Sequence, residues 1–171
     1  AMVFISGHGY NDRNGDYYFL PTDTDIESLK RTSVPYSQIK STLTSLPGKV
    51  LLFLDTCHAG GVMGNRTRAV PGADLSELVN DLVAAENGIV VFASSTKKQF
   101  SLENDKWGNG AFTKALIEGI SGQADEKNSG KITVSMLEYY IAERVKSLTE
   151  GQQTPTTCKP DIIPDFPIAV R

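Results

Sequence analysis

The stretch LLFLDTCHAGG, residues 51–61, passes from an apolar run into an acid, a thiol, an imidazole and then glycines. The chain's other histidine lies upstream in MVFISGHG, residues 2–9. A thiol of ordinary pKa, about 8.5, is mostly protonated at neutral pH, whereas an imidazolium beside it stabilises the thiolate, and the same imidazole protonates a leaving amine. His8 and Cys57 together therefore spell a nucleophile with its acid and base. Gly9 offers a backbone N–H free of side-chain obstruction, so the amides of Gly9 and Cys57 are the candidates to hold an oxyanion. Asp55, two residues before Cys57 in an extended segment, faces the same way. It has two readings: a hydrogen-bond acceptor for nearby backbone, or the acid of a pocket that pairs with an Arg or Lys of the substrate. His8, Cys57 and His58 would also supply three ligands of a zinc site. Structural zinc, however, normally takes four, and no short Cys and His spacing repeats elsewhere. Cys158, in TPTTCKPD, lacks the spacing of a redox partner for Cys57.

These residues do chemistry together only if the chain brings 8 and 57 to one place. Apolar runs bounded by Gly, Asp or Ser recur at 2–6, 49–55, 89–94 and 166–170, and continuous apolar strands imply burial on both faces. Between them, Tyr36, Ile39, Leu43 and Leu46 after Pro35, and Leu75, Leu78, Val79, Leu82 and Val83 after the cap candidate Asp74, repeat at helical spacing. Further helices are expected over 111–120 and over 134–148, the latter capped by Thr133. GDYYFLP after an NDRNG turn predicts a small hairpin on the first strand. Alternating strands and helices give an α/β fold with a largely parallel sheet covered on both sides. Such sheets carry their active crevice at the carboxyl ends of the strands, where His8 and Cys57 fall. If those two strands are parallel neighbours joined by the 35–46 helix, imidazole and thiol share one rim.

Composition bounds the rest. A chain of 171 residues, 40% hydrophobic, builds one well-buried core. Its 17 basic and 20 acidic residues, a net charge of −3 without a basic run, argue against nucleic acid as a partner. No apolar run approaches the roughly 20 residues of a membrane helix, and two cysteines make no disulfide framework, so a soluble, cytoplasmic protein is expected. The chain opens almost directly on a buried-type strand. Its edge is expected to be covered by a strand segment from the same precursor, truncated or cleaved away, or by a partner chain.

SGHG after one strand and DTCHAGG after the next resemble the two signature motifs of the caspase-like cysteine peptidases, in the metacaspase and orthocaspase branch. GNGAFTKALIEGI, GKITVSMLEYYI and QTPT are similar to the small-subunit half of those enzymes, so the resemblance runs over nearly the whole chain. It implies a three-layer caspase-like sandwich in one catalytic domain, with residues 1–68 large-subunit-like, residues 69–171 small-subunit-like and the N-terminal strands missing. It implies a His8 and Cys57 dyad, acyl transfer through a thioester, and no metal or cofactor in the chemistry. Asp-specific caspases carry a neutral glutamine where Asp55 stands, so the resemblance points to protein or peptide substrates with a basic residue before the cleaved bond. Ser6 matches a pocket-lining serine of metacaspases. The family's other pocket acid belongs to an earlier strand that this sequence lacks.

Three expectations remain. Arg66 and Arg68, in the glycine-rich 60–74 stretch, are self-cleavage sites if the pocket prefers basic residues, and otherwise part of a solvated connection. Ser94 and Ser95 reach the crevice edge after the third strand as candidate substrate-wall residues, and Trp107 covers the site or simply packs. Asp23 and Asp25 fall where some calcium-activated relatives hold the ion, whereas DEKNSGKIT places Lys127 and Met136 where a calcium loop needs ligands. A caspase-like module that binds partners without turnover is the alternative to a peptidase.

Overall fold

The computed structural model describes residues 1–12, 14–58, 75–85, 88–95, 101–104 and 107–170, with residues 26, 57, 58 and 75–77 described by their backbone. Its main sheet has six strands in the order β3-β2-β1-β4-β5-β7. They are β1 (Met2–Asn11), β2 (Tyr17–Leu20), β3 (Val34–Pro35), β4 (Val50–His58), β5 (Ile89–Ala93) and β7 (Thr156–Cys158). β1, β4 and β5 run parallel; β2 joins β1 and β7 joins β5 antiparallel, and β3 pairs antiparallel with β2. The expected hairpin forms, with Tyr17 to Leu20 pairing back onto His8 to Asn11.

Alternation along β4 sorts its side chains into two cores. Val50, Leu52 and Leu54 face a layer with Leu43 of α2 (Tyr36–Ser45) and Val79 and Leu82 of α3 (Leu75–Val83). Leu51 and Phe53 face the opposite layer, where Phe112, Ala115 and Leu116 of α4 (Ala111–Glu118) meet Leu137, Ile141 and Val145 of α5 (Val134–Leu148). Phe53 and Phe92 stack there at 4.9 Å between ring centroids. On the first side, the Tyr36 hydroxyl donates to Leu78 O and to Asp81 at 3.0 Å each, and Lys40 Nζ meets Asp81 at 2.7 Å, pinning α2 to α3. On the second, Thr133 caps α5 by accepting the Met136 amide, as expected. A four-residue helix α1 (Leu29–Thr32) completes the α-helices among the described residues.

Two strand expectations need correction. FPIAV was expected among the strands buried on both faces; β8 (Pro167–Val170) instead pairs with β6 (Lys131–Thr133) in a separate two-stranded sheet, with Pro167 and Val170 exposed. β7 takes the antiparallel place beside β5. MVFIS was likewise expected to be buried on both faces. Val3 and Ile5 do pack into the α2 and α3 core, but Met2 and Phe4, on the other face, are about half exposed at 50% and 47%. α4 lies over β4 and β5 and leaves that part of β1 open, and from Met2 to Gly7 the edge of β1 away from β4 carries no strand among the described residues, because β2 pairs only from His8 onward. Asp74, expected as a helix cap, lies outside the described residues. Among the described residues no helix is long and apolar enough to cross a membrane.

Candidate active site

The parallel pairing of β1 with β4 sets Ser6 opposite Asp55, His8 opposite Cys57 and Gly9 opposite His58. Neighbouring strands lie about 4.8 Å apart, so residues 8 and 57 are adjacent backbone positions at the carboxyl ends of adjoining strands. Phe4, Ser6 and His8 alternate onto one face of β1, and all three are exposed. Position 57 continues the series of Phe53 and Asp55 on β4.

Below this pair opens a cavity of about 780 Å³ lined by Ser6, Asp55, Glu103, Asn104, Gly110 and Thr113 among others. Asp55 is buried, 7% exposed, and its Oδ2 accepts a 2.6 Å hydrogen bond from the Thr113 hydroxyl. The acceptor reading of Asp55 holds in altered form, since the donor is a helix side-chain hydroxyl rather than nearby backbone, and no cationic side chain is among the described lining residues. Gly110, the N-cap of α4, lies so close that a Cβ there would sit 3.2 Å from Asp55 Oδ2. Glycine at this position lets the backbone close on the carboxylate. The facing wall is a short ladder in which Glu103 bridges Gly110, Ala111 N donates to Leu102 O at 2.9 Å and Trp107 N donates to Asn104 O at 2.8 Å.

Beneath the dyad positions, on the sheet's other face, lies a polar spot inside apolar surroundings. Tyr17 is 4% exposed and its ring crosses Gly9 so closely that a Cβ on Gly9 would meet Tyr17 Oη at 1.7 Å. Burial pushes the Tyr17 phenol up to about 12, against a smaller opposing pull from the Thr56 hydroxyl. By geometry neither hydroxyl completes a hydrogen bond among the described residues. Glycine is therefore required at 9 by the closeness of Tyr17 as well as by the bare amide the sequence suggested.

The other sequence candidates fall elsewhere. Ser94 and Ser95 were expected on the substrate wall, but both are buried, at 2% and 6% exposed, and neither lines the cavity. Ser94 is tied down behind it, its amide donating to Leu54 O at 2.8 Å and its hydroxyl bonded to that of Ser101. Trp107 packs against the α4 and α5 core. Asp25 caps a 3₁₀ turn, accepting from the Glu27 amide at 3.0 Å, and Asp23 is exposed beside it. Arg66 and Arg68 lie outside the described residues. Cys158 pairs with Val91, which pairs with Leu52, five positions short of Cys57 on β4. At about 3.3 Å per residue that offset is roughly 16 Å along the strands, beyond the reach of a disulfide.

Glu103 escaped the sequence reading, and Thr113 and Gln153, though within the quoted GNGAFTKALIEGI and QTPT segments, were given no role in the site. Glu103 reads there as one acid in a polar loop and Thr113 as one more residue of an apolar helix. Only the folding of α4 against β4 brings the hydroxyl to Asp55.

An α/β sandwich with a histidine and a cysteine on adjoining strand ends above an acid-lined cavity defines a class of cysteine-peptidase-like domains. Residues 1–167 match the caspase domain of the C14 peptidases, and the chain belongs to that family. No curated protein matches it significantly. A Geobacter sulfurreducens protein known from its crystal structure shares the fold, with a TM-score of 0.55 and 18% identity over 93% of this chain and 65% of that one. The present chain thus spans about two thirds of that structure.

Proposed function

We propose that this chain is a cysteine endopeptidase that cleaves after Arg or Lys. The observation that carries the reading is the register of β1 with β4, which makes residues 8 and 57 neighbours and puts the carboxylate of Asp55 two residues down the same face, in a cavity that Glu103 also lines. Two acids and no basic side chain among the described lining residues favour a cationic guest, and a guanidinium satisfies a carboxylate with paired hydrogen bonds. In this mechanism the Cys57 thiolate attacks the carbonyl carbon, and the Gly9 and Cys57 amides hold the oxyanion. His8 passes its proton to the amine as the C–N bond breaks, leaving a thioester. Water, deprotonated by His8, then attacks that thioester, releases the acid and restores the thiol.

Fluorogenic peptides with Arg, Lys, Asp or Leu before the reporter test it. Arg and Lys peptides are expected to turn over, and Cys57→Ala and His8→Ala each to lose at least about a thousandfold in kcat/KM with folding retained. Turnover of Asp peptides in preference would overturn the specificity. Tight binding of a basic peptide aldehyde without turnover would identify the chain as a silent binding module. Cleavage after Arg66 or Arg68 is read from the intact mass of active protein beside Cys57→Ala, and calcium activation from the same assay with and without a chelator and in Asp23→Asn/Asp25→Asn.

A further inference from the structure

Gln153, between α5 and β7, is 1% exposed, one of the most enclosed polar side chains described. Both ends of its amide are used across a gap in the chain of about fifty residues. Nε2 donates to the Ser94 carbonyl at 2.7 Å, and Oε1 accepts from the Leu102 amide at 2.8 Å. Ser94 stands just past β5, with its own amide on Leu54 O, one residue from Asp55. Leu102 begins the opposite wall: its carbonyl takes the Ala111 amide, and the next residue is Glu103. Gln153 is itself held to α5, since its amide donates to the Thr149 hydroxyl at 3.2 Å and that hydroxyl donates to Val145 O at 2.8 Å.

One buried carboxamide therefore links the strand end beside Asp55 to the wall that bears Glu103. Among uncharged, non-titrating side chains only Gln and Asn present a donor and an acceptor on one planar group, and Asn is a methylene shorter. We propose that Gln153 is a positioning residue for the cation pocket, fixing how far Glu103 stands from Asp55 without touching substrate. The proposal rests on the basic-residue reading given above.

The dyad is held by β1 and β4, whereas the Glu103 wall hangs on Gln153, so the two respond differently to substitution. Gln153→Met keeps the bulk and removes both hydrogen bonds; KM for an Arg peptide, and the Kd of that peptide for the Cys57→Ala form by calorimetry, are expected to rise about tenfold while kcat stays within about threefold. The rate of Cys57 alkylation by iodoacetamide is expected to stay unchanged. Gln153→Glu supplies a proton-linked readout. An ionised carboxylate opposes the Ser94 carbonyl, but a protonated one donates to it and still accepts from Leu102. The KM of Gln153→Glu relative to wild type is therefore expected to be high at pH 8 and to fall towards one near pH 5.5.

Unchanged KM and Kd in Gln153→Met would overturn the proposal, as would a fall of kcat and alkylation rate in step with binding, the mark of general unfolding. If Gln153→Met does not fold, absence of low-pH recovery in Gln153→Glu overturns it instead. Failure of the unmutated protein to bind or cleave the Arg peptide would remove the basic-residue reading itself, an outcome visible before any Gln153 variant is made.

Discussion

Asp55 presents its charge to the cavity with one oxygen already taken by Thr113. Desolvated charges are costly to leave unpaired, so on the proposed reading the other oxygen is where a cationic substrate side chain attaches. Asp55→Asn is expected to cut kcat/KM on Arg peptides by at least about a hundredfold. Thr113→Val keeps the shape but frees the carboxylate to rotate, and a rise in KM of about tenfold is expected, the worth of one charged hydrogen bond at the low end of its range. Gly9→Ala would drive a Cβ into a buried Tyr17 whose ring also packs edge-on against Phe19 at 4.9 Å. Overpacking of this kind costs about 1–3 kcal/mol, readable in urea unfolding. Tyr17→Phe, which removes a buried hydroxyl that completes no hydrogen bond among the described residues, is expected to leave stability unchanged or slightly raised. Of these residues Asp55, His8 and Cys57 stood out in the sequence because polar and reactive types break apolar strands. Thr113 and Tyr17 did not, because nothing in a helix pattern or a hairpin reveals which distant strand it will touch.

Between elements, α4 is fastened to α5 by Glu118, which meets Arg144 Nε at 2.7 Å and Lys114 Nζ at 3.1 Å. The Arg144 guanidinium, helped by Lys114, holds the Glu118 carboxyl down at about 2 from an ordinary value of 4.5. A carboxyl whose folded pKa is depressed stabilises the fold fully above its unfolded pKa and loses that contribution as pH falls through the folded value. Glu118→Gln is therefore expected to be less stable than the parent above about pH 4.5, with the difference shrinking between about pH 4.5 and 2; equal stability at pH 7 would rule the clamp out. The Thr133 cap was legible at this scale because capping is a local hydrogen bond between residues three apart. β6 and β7 were not, since three-residue strands have no periodicity and exist only through their partners. β8 was read as a strand but given the wrong company for the same reason: an apolar run says that it pairs, not with what.

The molecule is organised as two cores on opposite faces of one sheet, with the site at the strand ends between them. Phe112→Ala in one core and Leu52→Ala in the other are expected to cost about 3–5 and 2–5 kcal/mol, respectively. If the sheet makes one cooperative unit, the double variant unfolds in a single urea transition with the two costs adding within about 0.5 kcal/mol. Two separate transitions would mean that the layers are independent. The sequence by itself determined the α/β class and the family, because apolar periodicity and motif residues are local properties written along the chain; it posed the parallel pairing of the strands that carry His8 and Cys57 only as a condition, which the register of β1 with β4 meets. Tertiary structure alone decided the open face of β1, the separate sheet holding β8, and the pocket built from Asp55, Glu103 and Thr113 with Gln153 behind it. Those features are contacts between residues tens of positions apart, and their energies depend on how the layers pack rather than on any neighbouring residue.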